Sequence, residues 1–213
     1  MGKDYIIKKK GVLKKYIPGS IPANDTLRLP EDVHTIASWC FQPEEQAFSP
    51  EVYEHVRKII IPSNIKKIEP AAFSDLDSLE EIVLEDEGTL YKTIDGVLYT
   101  ADEQTLLCWP PAKKPDDSDD GIITISENVK CLEEIAFCHN AAAKVVLPEK
   151  LECIVEHNFV FCSVKQVIVP ESVKKIGEEC FAYSGDITVI VHKGSYAEKY
   201  CIENGIQYEA VDS

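Results

Sequence analysis

Apolar residues recur along the chain in a fixed phase. Val167-Ile168-Val169-Pro170 is followed by Val173, Ile176 and Phe181. Shifted back by 22 residues, Val145-Val146-Leu147-Pro148 is followed by Leu151, Ile154 and Phe159, and by 22 again, Ile123-Thr124-Ile125 is followed by Val129, Leu132 and Phe137. Two earlier copies read Leu27-Arg28-Leu29-Pro30, Val33, Ile36, Phe41 and Ile59-Ile60-Ile61-Pro62, Ile65, Ile68, Phe73. Two apolar residues flanking one position predict a short strand of period two. The proline that follows cannot donate to a ladder and ends it. A pair three apart, such as Val173 and Ile176, turns a second apolar edge inward, and the phenylalanine fills the wide end of the rung. One rung cannot bury these edges alone, so the pattern predicts a strand-rich α/β repeat solenoid.

Seven strand positions are expected, centred near Leu29, Ile61, Leu84, Ile125, Leu147, Val169 and Val191, with steps of 32, 23, 41, 22, 22 and 22 residues. The two long steps mark insertions at 42–55 and 86–120. In the first, Ser49-Pro50-Glu51 reads as an N-cap with proline at the first helical position, giving a short helix to about His55. In the second, Tyr91–Thr100 and Thr105–Trp109 read as a projecting β-hairpin around Ala101–Gln104. Lys10-Gly11-Val12-Leu13 echoes Asp95-Gly96-Val97-Leu98, so Tyr5–Tyr16 reads as a two-stranded cap. Ser195 and Glu198 form a capping box. The helix it opens is expected to run to about Glu203 and stop at Asn204-Gly205, before a last strand at Ile206–Ala210. The expected layout is a single domain over 1–213, with an N-terminal β cap at 1–25, repeats at 26–192 and a C-terminal cap at 193–213.

Charge narrows the partners. The formal net charge is −15, which repels phosphate backbones and anionic headgroups, so neither nucleic acid nor membrane adsorption is expected. The longest apolar cluster, Lys58–Pro62, is far too short for a membrane span. Met1–Tyr16 is basic but lacks the apolar stretch of a signal peptide. As written the chain is expected in the cytoplasm; secretion or surface display is the alternative if a leader was removed.

The pattern I-x-I-P-x-x-V-x-x-I-x-x-x-x-F, the Asp95-Gly96-Val97-Leu98-Tyr99 segment and the Gly194-Ser195-Tyr196-Ala197-Glu198-Lys199-Tyr200 segment resemble the BspA-like leucine-rich repeats, from about Tyr5 to Tyr208. The resemblance implies a right-handed leucine-rich-repeat superhelix without a catalytic motif. It also implies a binding role, because some bacterial proteins of this type are implicated in adhesion to host proteins or other cells.

Two constellations invite chemistry. Asp116, Ser118, Asp120 and Glu127 fall at positions 1, 3, 5 and 12 of a calcium-loop spacing, with Gly121 at position 6. No entering helix precedes them, however. Ile123-Thr124-Ile125 is already a strand of the repeat, and Glu127 shares the column of Glu31, Glu149 and Glu171. A solvated loop is the favoured reading and a metal-binding role the alternative. The eight cysteines include Cys131, Cys138, Cys153 and Cys162 near His139 and His157, but no zinc knuckle of two closely spaced cysteines is present. They read as small buried residues in a reducing compartment. Cys131 and Cys153 share a column on adjacent rungs, where even a strained disulfide is conceivable. His34, in the column of Lys66, Lys130, Glu152 and Lys174, reads as surface. No nucleophile elbow, phosphate loop or catalytic triad is legible, so no enzyme activity and no cofactor are expected.

The residue between the two inward strand positions points out onto the open sheet. These residues are Arg28, Ile60, Val83, Thr124, Val146, Ile168 and Ile190, five of them β-branched and apolar. Such a stripe is the expected partner-binding surface for a protein. Arg57, Lys58, Glu80, Glu81, Lys144, Lys165 and Gln166 are its expected polar rim. Self-association into a homodimer, or a purely structural role, is the second reading.

Overall fold

The computed structural model describes residues 5–20, 22–42, 50–86, 90–115 and 121–212. The chain forms two compact units, one of residues 1–101 with 108–113 and the other of residues 102–107 with 114–213. Each is a run of strand-rich solenoid.

The first unit opens with an antiparallel hairpin of β1 (Tyr5–Lys9) and β2 (Val12–Ile17). Lys10 and Gly11 both have positive φ at its turn, the backbone that matches the twist of a two-residue hairpin. The expected N-terminal cap is therefore present. The long-strand ladder is β3 (Thr26–Arg28), β5 (Lys58–Ile61) and β7 (Glu81–Leu84), parallel and in register through Leu27↔Ile59↔Ile82. A second parallel ladder links β2 to β4 (Thr35–Ile36) and β6 (Lys67–Ile68). The second apolar edge of each rung is thus itself a strand, which the spacing did not reveal.

The first insertion holds the expected short helix, and the second differs from expectation. Pro50–His55 is a 3-10 helix, and its expected cap Ser49 lies outside the described residues. The hairpin is β8 (Tyr91–Ile94) with β9 (Val97–Thr100), turning at Asp95-Gly96 instead of Ala101–Gln104. Asp95 and Gly96 have φ of 49° and 79°, so this is the favoured two-residue turn. Nor does the hairpin project. Val97, Leu98 and Tyr99 are buried, the Gly96 carbonyl accepts from Ile82 N, and the Tyr91 hydroxyl accepts from Ile68 N. A side chain at Gly96 would meet Glu81 Cγ at 2.8 Å.

The second unit repeats the plan. Its long-strand ladder is β11 (Ile122–Thr124), β13 (Lys144–Val146), β15 (Gln166–Ile168) and β17 (Thr188–His192), closed by β18 (Tyr208–Val211), all parallel. The short ladder runs from Thr105 and Leu106 of β10 (Thr105–Cys108) through β12 (Cys131–Leu132) and β14 (Cys153–Ile154) to β16 (Lys175–Ile176). Thr105 and Leu106 thus belong to the ladder and not to a projecting hairpin.

The C-terminal cap forms as expected. Helix α1 (Tyr196–Asn204) starts with Ser195 Oγ accepting from Glu198 N and stops at Gly205 in the left-handed region. The Glu198 carboxylate reaches back to Gly194 N at 2.6 Å.

The core is a set of columns. Phe137, Phe159 and Phe181 stack at 5.3 Å between successive rings, and Tyr200 of α1 meets Phe181 edge-on. In the first unit Tyr16, Phe41 and Phe73 form a ring column of that unit's own. Burying each ring contributes about 1.5–3 kcal/mol.

Candidate functional site

The long strands bury the residues flanking their middle positions, with Leu84 after Val83 the half-buried exception. Ile59 and Ile61, Val145 and Leu147, Val167 and Val169, and Val189 and Val191 are at most 2% exposed. The proline or turn after each strand fixes the phase, so the middle residue is forced onto the opposite face. Arg28 and Thr124 are exposed there, and Ile60, Val83, Val146, Ile168 and Ile190 are half-buried.

Register joins these residues into two runs. In the first unit Arg28, Ile60 and Val83 are neighbours. In the second, Thr124, Val146, Ile168 and Ile190 are neighbours, and Glu209 follows Ile190. The runs differ chemically. The Arg28 guanidinium pairs with the Glu85 carboxylate. β3 and the residue just past β7 flank β5, so this pair spans the middle strand and lays a charged strap across the first run. Part of the expected rim there is also self-paired, with Lys58 to Glu81 at 2.8 Å and Arg57 to Glu80. The second run carries no such strap among the pairs seen and presents three adjacent β-branched residues.

Asp116, Ser118 and Asp120 of the calcium-loop spacing lie outside the described residues, and Glu127 is exposed on the turn after β11. Among the described residues no three His, Cys, Asp or Glu side chains gather as metal ligands. Cys131 and Cys153 are register neighbours on the outward face of the short ladder, both as free thiols. Burial first, then the neighbouring Cys153, pushes the Cys131 thiol up to about 12. His34 differs from the other members of its column. It is half-buried, with its ring packed where any side chain on Gly11 would sit, so the cap hairpin covers it. A pocket of about 200 Å³ between Pro62–Lys66 and Leu84, Leu90 and Tyr91 falls short of the roughly 300 Å³ or more that drug-sized ligands occupy. Among the described residues no helix is long and apolar enough to cross a membrane.

A second surface was not anticipated. His139, Phe161 and Tyr183 form a column of rings on the turns of three successive rungs, each 5.4 Å from the next. Their 22-residue spacing is in the sequence but is masked by the phenylalanines two positions earlier, which repeat with the same period. All three have φ between 54° and 59°. For a residue with a Cβ that backbone costs about 1–2 kcal/mol.

The fold and its columns define a leucine-rich-repeat solenoid. The model of the BspA type leucine rich repeat region matches six copies over residues 44–95 and 121–209, and the chain belongs to that family. Among solved structures, a leucine-rich repeat protein from Eubacterium ventriosum is 18% identical with a TM-score of 0.67, over 79% of this chain and 42% of its own. A leucine rich cell surface protein from Faecalibacterium prausnitzii is 21% identical with a TM-score of 0.52, over 89% of this chain and 60% of its own. The chain thus spans less than two thirds of either. At such identities the likeness shows the fold. No curated protein matches the chain.

Proposed function

We propose that this chain is a non-catalytic protein-interaction module whose binding face is the open side of the long-strand ladder, centred on Val146, Ile168 and Ile190. The observation that carries this reading is the run of three half-buried β-branched residues in register, with no charged strap among the described residues, on strands whose other face is core. A rigid parallel ladder presents this patch without reorganisation, which lowers the entropic cost of docking. Lys144, Lys165 and Gln166 border it and would set partner register. The repeat family is typically used for protein interaction. The Faecalibacterium prausnitzii neighbour is described as a cell surface protein, which favours adhesion at a surface over a cytoplasmic role.

The test is quantitative capture from host-cell and bacterial extracts, comparing the native chain with a Val146→Lys/Ile168→Lys/Ile190→Lys variant of native circular dichroism and melting temperature. Partners lost specifically from the variant support the open face. Identical partner sets sink it.

A further inference from the structure

We infer that the ring column of His139, Phe161 and Tyr183 is a second docking surface, and that its occupant is an arginine-bearing basic peptide segment of a protein partner. This column lies on the turns, away from the strand residues of the proposed binding face, and stands or falls independently of it.

The residue types are the first argument. Phe161 is 55% exposed and Tyr183 is 73% exposed. Burial therefore explains neither. Local backbone does not explain them either. Four residues upstream, Ile135, His157 and Glu179 occupy another column of positive φ, and there the residue types are unrelated. The turn demands a left-handed residue, for which glycine or asparagine is the undemanding choice. It does not demand a ring, yet three consecutive rungs carry one.

The geometry is the second. Phe161 and Tyr183 stack at 19° between planes, and His139 continues the column at 33°. Phe161 has a ring on each side, so the open face is that of Tyr183 at the end of the column, 73% exposed, and such a face carries the negative side of the ring quadrupole and attracts planar cations, guanidinium above all.

The charge around the column is the third. The turn segments 133–141, 155–163 and 177–186 contain Glu133, Glu134, Glu156, Glu178, Glu179 and Asp186, and no lysine or arginine. His157 sits between Glu134 and Glu179, at 3.7 and 3.4 Å. The same turns carry carboxylates and exposed rings, and a guanidinium can donate paired hydrogen bonds to a carboxylate and stack on a ring at once. The carboxylates repel nucleic acid.

The test measures fluorescence anisotropy of labelled arginine-only, lysine-only and glutamate-only peptides of equal length on the full chain. The comparison variant is Phe161→Asn/Tyr183→Asn, because asparagine tolerates the left-handed backbone. The arginine peptide should bind more tightly than the lysine peptide, and the variant should lose about tenfold in affinity for it. The variant should keep the native melting temperature. Equal arginine and lysine affinities, or an unchanged affinity in the variant, would reduce the surface to a diffuse acidic field and overturn the proposal. A variant that melts far below the native chain would make the rings structural and overturn it too. As a check that does not risk folding, Tyr183→Phe should retain arginine binding. Ring-dependent binding of soluble polysaccharides, with none of the arginine peptide, would refute the occupant.

Discussion

The Tyr200 hydroxyl donates a 3.0 Å hydrogen bond to the carbonyl of Gly177. Tyr200 belongs to the C-terminal helix and Gly177 to the last rung, so one buried bond pins the cap to the repeat. Burial, the largest cause, pushes the Tyr200 phenol up to about 12. Replacing Tyr200 with Phe keeps the ring against Phe181 and strands the Gly177 carbonyl. The expected cost is about 1–3 kcal/mol, read from urea denaturation. An unchanged midpoint would mean the cap is held by apolar packing alone.

At Gly177 the backbone of the neighbouring rung also comes close. A Cβ there would lie 2.5 Å from Glu156 N and 2.7 Å from Glu156 Cα, both backbone, whereas a Cβ at Gly185 meets nothing within 4 Å. Backbone cannot step aside as a flexible side chain can. Gly177→Ala should therefore destabilise by about 1–3 kcal/mol or more. Gly185→Ala should be neutral or stabilise by up to about 1 kcal/mol through the unfolded chain. Comparable melting temperatures for the two would contradict the close approach.

The solenoid was legible in the sequence because each column of the core is a fixed distance along the chain. Phe137, Phe159 and Phe181 announce themselves by spacing, and so do the outward residues Val146, Ile168 and Ile190. The caps were legible because Ser195, Glu198 and Gly205 act locally. What escaped depends on neighbours in space. Cys131-Leu132 and Cys153-Ile154 are too short to show a period, so their ladder was invisible. The hairpin turn was misplaced because strand pattern runs unbroken through Tyr91–Thr100, and only Asp95-Gly96 marks the reversal. Arg28 reads in sequence as one more outward residue, because its partner Glu85 lies beyond the middle strand. Asn158 breaks its column of small residues, Cys40, Ala72, Ala136 and Cys180. Its amide donates 2.7 and 3.1 Å bonds to the carbonyls of Glu133 and Val155, which no spacing predicts.

The buried ring column should dominate stability. Phe159 is fully buried between Phe137 and Phe181, so Phe159→Ala should cost about 3–5 kcal/mol. Phe161→Ala, two residues on and exposed, should cost far less. Chemical denaturation of both variants checks this, and equal losses would mean the exposed column also carries the fold.

The thiols divide by position. Cys40, Cys138, Cys162, Cys180 and Cys201 are buried, whereas Cys131 and Cys153 are half-buried and face outward. Native-state alkylation followed by peptide mass spectrometry should label Cys131 and Cys153 well before those five, which should react only as the chain unfolds. Early labelling of Cys180 would show that its rung opens locally.

Burial pushes the thiols of Cys40, Cys162 and Cys180 up to about 12, which sets how stability responds to alkali. In the unfolded chain a thiol titrates at about 8.5. Between those values the native state holds protons that the unfolded state has released, so stability falls as pH rises. The contribution is fully present below about pH 8 and is lost as pH rises through the native values. Each thiol adds a slope of up to about 1.4 kcal/mol per pH unit within the window. Urea unfolding in reductant from pH 8 to 11 should show this decline, and Cys180→Ala should make it shallower. A flat profile, or an unchanged slope in the variant, would mean that these thiols reach water in the folded protein.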